Sequence, residues 1–143
     1  MALSQGFFTR FFIPQFGEYK SLYFGIIIFI ISFALFGLAT QGWMIYPIVM
    51  FFALSGVATP ALQSMITKYV PANEQGELQG SLVSLGSLGA VIAPLIYTFL
   101  FVKFTDSQAP VHFPGAAYLG ASAISVVTLI LVRFFKHHEP VAR

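Results

Sequence analysis

Residues 21–40 read SLYFGIIIFIISFALFGLAT, with twelve Leu, Ile or Phe side chains between Leu22 and Leu38 and no charge in the stretch. On the insertion scale these side chains favour the bilayer centre by roughly 4–7 kcal/mol, before the smaller penalties of Ser32 and the glycines. About 20 apolar residues in helical form cross the hydrocarbon core. No water is present there to bond the backbone, so a spanning segment closes its hydrogen bonds internally as a helix. The stretch predicts a transmembrane helix that inserts unaided.

Three more stretches of this kind follow, at 43–67, 78–102 and 113–132, each free of charged side chains. Residues 1–13 are apolar apart from Arg10, but they are too short to cross alone and read as the last turns of a helix. The expected fold class is all-α: a polytopic membrane helix bundle forming a single transmembrane domain over residues 1–143. It would comprise a partial helix at 1–13, the four spans, and a cytoplasmic tail at 133–143. Composition points the same way. Of 143 residues 57% are hydrophobic and 8% charged, against about 25% charged in a soluble domain. So few charges cannot cover a globule of this size in water.

The charges also orient the chain. When the spans alternate, Arg10, Lys20, Lys68, Arg133, Lys136 and Arg143 fall on one side and only Lys103 on the other. The positive-inside rule makes the crowded side cytoplasmic and places both termini there. Seven Lys and Arg are too few for a nucleic-acid footprint. Cysteine is absent, which excludes disulfides, thiol catalysis and thiolate metal sites. His137 and His138 are adjacent and His112 stands alone, short of the ligand set a metal requires. No Ser/His/Asp arrangement or phosphate-cradling loop occurs. Neither an enzyme nor a cofactor is predicted.

The spans differ in character. The first is almost purely Ile, Phe and Leu and reads as lipid-facing. The second and third carry Ser, Thr, Gly and Gln and, with residues 1–13, read as facing protein or a polar cavity. In the third, Gly76, Gly80, Ser84, Ser87, Ala90 and Ala93 follow helical spacing, a stripe that lets helix backbones approach closely. Pro47, Pro60 and Pro94 lie within spans, where kinks are tolerated.

Three local motifs occur in order. LSQGFFTRFFIPQFGE (Leu3–Glu18) is followed by ATQGWMIYP (Ala39–Pro47) and PALQSMITKYVPANEQGELQGSLVSLGSLGAVIAPLIYT (Pro60–Thr98). The sharpest is the Q-G-x-L-Q-G run from Gln75 to Gly80, and Ala93-Pro94 stands at a Gly-Pro-type position. Together they resemble the tetracycline/proton antiporters, drug exporters of the major facilitator superfamily. The resemblance implies the end of the eighth helix and the ninth to twelfth helices, a partial carboxy-terminal half of a transporter in a bacterial inner membrane. It implies proton-coupled antiport of amphipathic small molecules by the complete protein. The partners it implies are the lipid bilayer, the substrate and the missing amino-terminal helices. The acidic residue those exporters carry in the ninth helix falls here on Phe29, and the histidine of their eighth helix on Met1.

The resemblance also carries site expectations. Gln5 matches a cavity-facing polar residue, and reads equally as a polar residue near a helix end. Ser55, Thr59, Gln63 and Ser84, with Ser64 beside Gln63, are candidates to line the substrate cavity; packing and interhelical hydrogen bonds are their other reading. Arg10 with Glu18 resembles a charged loop motif that latches helices, and both serve equally as interfacial anchors. Gln75, Gly76, Gln79 and Gly80 would pack the cytoplasmic gate. Glu74 and Glu77 read as acids at a solvated helix start, favoured by the helix dipole; an acid-assisted cytoplasmic gate is their other reading. A stand-alone four-helix membrane protein with a structural or assembly role is the alternative to a transporter piece.

Overall fold

The structure is a computed structural model that describes residues 15–106 and 113–137, the last three as backbone alone. Among the described residues four long helices make up the fold: α1 (Glu18–Leu38), α2 (Gly42–Thr67), α3 (Gln75–Thr105) and α4 (Ala116–His137). No strand occurs among the described residues, and each helix is long and apolar enough to cross a membrane. The expectation of an all-α polytopic membrane bundle therefore holds.

The helix ends follow local chemistry. Gly17, at a positive φ of 82°, turns the chain into α1, and the Ser21 hydroxyl donates to the Gly17 carbonyl at 2.8 Å. The Glu74 N–H bonds the Pro71 carbonyl at 3.0 Å and the Leu78 N–H the Glu74 carbonyl at 3.1 Å, opening α3. Its first turn carries Glu77 and its last turn Lys103, each placed to suit the helix dipole. α3 runs 31 residues, about 46 Å at helical rise, well beyond a hydrocarbon core of about 30 Å. α4 stays helical to His137, past the expected end of the span at 132. No proline or glycine interrupts 121–139, so part of the expected tail is helix.

α1 sits at the centre, packed against both α2 and α4. Its Ser21, Leu22, Gly25, Ile26, Ile28, Ser32 and Gly37 are buried, which corrects the lipid-facing expectation for the first span. Apolarity cannot separate lipid-facing from helix-facing surface when the solvent is itself apolar. The small residues decide, because Gly25 lies against Ala58 and Gly37 against Gly115. Leu22, Ile26 and Ala61 form the core between α1 and α2, covered by Ile30, Ala58 and Met65 and by Leu129 and Val132 of α4. Further along, Phe29, Phe33 and Phe36 of α1 group with Phe52 of α2, and Phe33 and Phe36 also meet Tyr118 of α4; ring centroids in the group lie 4.5–6.3 Å apart. α3 has no buried residue and leans chiefly on α4.

Candidate functional site

Residue order along α1 and α2 makes the two helices antiparallel: Glu18 meets Ser64 and Lys68, Gly25 meets Ala58, and Phe36 meets Phe52. The start of α1, the end of α2 and the start of α3 therefore share one end of the bundle. Polar side chains gather there. The Ser64 hydroxyl donates to Glu18 Oε1, and Lys68 Nζ donates to Glu18 Oε2 at 2.8 Å. One carboxylate thus holds two donors four residues apart, Ser64 on α2 and Lys68 just past its end. Beside them, Gln63 Nε2 donates to Gln79 Oε1 at 3.1 Å, tying α2 to α3. The Thr67 hydroxyl turns inward to the Gln63 carbonyl.

This cluster unites four of the residues picked from sequence, Glu18, Gln63, Ser64 and Gln79. Gln75, Gly76 and Gly80 lie on the same end of α3 but are exposed, and a Cβ added at Gly76 or Gly80 would meet nothing within 4 Å. Ser55 is buried and donates to its own helix, to the Phe52 carbonyl at 2.7 Å. Thr59 is exposed. Ser84 is exposed too, bonding the Gly80 carbonyl at 2.9 Å. Gln5 and Arg10 lie outside the described residues. Phe29, where the resemblance places an acid, stacks on Phe33 at 4.5 Å and lies 5.5 Å from Phe52.

The sequence reading missed Lys68 as the partner of Glu18. The signal was present: an acid opening one helix and a base closing the next meet whenever those helices form an antiparallel hairpin. At the opposite end, Phe33, Tyr97, Phe101 and Tyr118 are among the residues that line an apolar cleft of about 390 Å³ between α1, α3 and α4. Chemically, the polar cluster can fasten and release helix ends by exchanging charge-assisted hydrogen bonds.

The family model of the Major Facilitator Superfamily matches residues 1–143. The chain belongs to this superfamily. Its relatives within the superfamily include the tetracycline resistance protein of class E from Escherichia coli, 36% identical over 134 residues, which covers 94% of this chain and 32% of that protein. The class G protein from Vibrio anguillarum is 42% identical over 100 residues, 70% of this chain and 25% of its own length. The hippocampus abundant transcript 1 protein of Homo sapiens is 22% identical, over 85% of this chain and 29% of its own. No solved structure matches. The chain spans about a third of the length of the tetracycline resistance proteins it matches. The superfamily is one of transporters rather than enzymes, and as one of its members this chain is a multi-pass membrane protein.

Proposed function

We propose that the chain supplies four helices of the carboxy-terminal half of a proton-coupled exporter of amphipathic small molecules, with the Glu18 cluster at its cytoplasmic gate and both termini in the cytoplasm of a bacterial inner membrane. The similarity to tetracycline resistance proteins along nearly the whole chain carries this reading. The cluster supports it, since alternating access requires bonds at one face of the membrane that break and reform while helices stay folded. Amphipathic substrates then bind between this bundle and the helices that complete the transporter.

The test uses an efflux-deficient bacterium. One strain expresses this chain, a second the amino-terminal remainder of the class E protein, and a third both as separate polypeptides. The expected result is raised resistance to tetracycline, or to another amphipathic drug in a panel, in the third strain alone, abolished by a protonophore. Absence of resistance to every drug while both polypeptides reach the membrane sinks the proposal.

A further inference from the structure

α2 is one span made of two α-helices. Ile45–Ala53 and Ala58–Thr67 are α-helical, and Leu54–Val57 between them form a 3₁₀ helix. The hydrogen bonds show the change: the Leu54 N–H reaches the Phe51 carbonyl and the Ala58 N–H the Ser55 carbonyl, each three residues back. Pro60 explains it. Proline has no N–H to offer the carbonyl four residues earlier, that of Gly56, and its ring crowds that carbonyl in an unbroken α-helix. Restarting the α-helix at Ala58 puts Pro60 in a first turn, where N–H groups have no intrahelical partner to miss. A 3₁₀ stretch inside a longer helix often marks a hinge.

The two halves of α2 hold different things. The Ile45–Ala53 half carries Phe52, packed on Phe29, Phe33 and Phe36. The Ala58–Thr67 half carries Gln63 and Ser64, with Lys68 just beyond it, bonded to Gln79 and Glu18. The 3₁₀ segment between them is buried at Ser55 and Val57.

The geometry sets the size of any switch. A 3₁₀ helix turns about 120° and rises about 2.0 Å per residue, and an α-helix about 100° and 1.5 Å. Converting four residues from 3₁₀ to α therefore rotates one half of α2 against the other by about 80° and shortens the span by about 2 Å. A rotation of that size takes Gln63, Ser64 and Lys68 off Gln79 and Glu18 together and leaves the ring packing of Phe52 in place.

We propose that Leu54–Val57 is a rotary hinge, whose 3₁₀ form keeps the inner half of α2 in register with Glu18 and Gln79 and whose change to α releases both contacts at once. This deepens the transporter reading by naming the part that moves at the gate. Its test reads positions and not transport, so the hinge can fail while the transporter reading stands, and the reverse.

The chain has no cysteine, so pairs can be introduced into the full chain in lipid nanodiscs. Gln63→Cys with Gln79→Cys reports the register of the inner half of α2. Ile30→Cys with Ser122→Cys reports the α1–α4 contact, where the Ser122 hydroxyl meets the Ile30 carbonyl at 3.0 Å. Pro60→Ala restores the missing N–H and allows continuous α-helix. Its expected effect is a fall of about fivefold or more in cross-linking of the 63/79 pair, with the 30/122 pair unchanged. An unchanged 63/79 pair overturns the hinge, and loss of both pairs counts against it too, because a hinge leaves α1 and α4 together. In the unsubstituted chain, backbone amides of residues 54–59 should exchange about tenfold faster than those of 49–53, as local opening is confined to the hinge. Equal protection of the two segments also overturns it.

Discussion

Gly25 of α1 meets Ala58 of α2 with no space between them: a Cβ on Gly25 would stand 2.6 Å from the Ala58 Cβ and 2.9 Å from its backbone nitrogen. Neither atom is the end of a flexible side chain, so relief requires the helices to part. Gly25→Ala should therefore destabilise by about 1–3 kcal/mol, the usual cost of overpacking. This reverses the gain of roughly 0.5–1 kcal/mol that alanine brings over glycine in an unencumbered helix. The midpoint of unfolding in mixed micelles titrated with dodecyl sulfate measures the sign. An equal or higher midpoint would contradict the packing of α1 on α2.

Gly86 and Gly89 of α3 make the contrasting case, since an added Cβ there would meet nothing within 4 Å. In this chain alone, Gly86→Ala or Gly89→Ala should stabilise by up to about 1 kcal/mol through helix propensity. In the paired strain described above, where further helices are supplied, either change that lowers resistance marks α3 as packed closely in the complete transporter. Loss of stability in the isolated chain would show that α3 already has a neighbour there.

These two helices show what the sequence made legible. The spans were readable because hydrocarbon leaves an uncharged run such as 21–40 only one form, a helix. Which helix lies inside was not readable from apolarity, because Ile27 at the surface of α1 and Ile26 in its core look alike to a lipid tail. The positions that decide packing are small ones, Ser21, Gly25, Ser32 and Gly37, buried on α1; they were present in the sequence but outweighed by their apolar neighbours. Gln63 and Gln79 were singled out by motif, and their bond depends on the α2–α3 turn, which local pattern does not set. Glu18 was grouped with Arg10, which lies outside the described residues, and its bond to Lys68, fifty residues away, was not foreseen.

Topology gives a third expectation. The turn at 68–74 and the segment ending at Asp106 lie at opposite ends of α3, which runs between them. Reporter fusions truncated after Asn73 and after Asp106 should therefore report opposite faces, with Asn73 cytoplasmic by the distribution of Lys and Arg. The same face for both would mean that α3 does not cross the membrane, and an external Asn73 would invert the proposed orientation.

The last expectation concerns the strength of the latch. The Lys68 side chain is 66% exposed and that of Glu18 17%, so the ion pair is largely wet and its attraction screened. Exposed pairs of this sort contribute about 0.2–1 kcal/mol in double-mutant cycles. A cycle of Glu18→Gln, Lys68→Met and the double variant, read by unfolding midpoints, should give a coupling in that range. Raising salt from about 0.01 M to 1 M shortens the screening length from about 30 Å to 3 Å and should reduce the coupling further. A coupling near 3 kcal/mol, or one indifferent to salt, belongs to a buried pair and would show that Glu18 is closed off from water. Exchanging the charges, Glu18→Lys with Lys68→Glu, should recover most of the coupling but not the bond from Ser64, whose hydroxyl would face an ammonium group with no acceptor to offer. A weak, replaceable pair suits the proposed gate, because a gate fastened by several kcal/mol would need that much binding energy to release it.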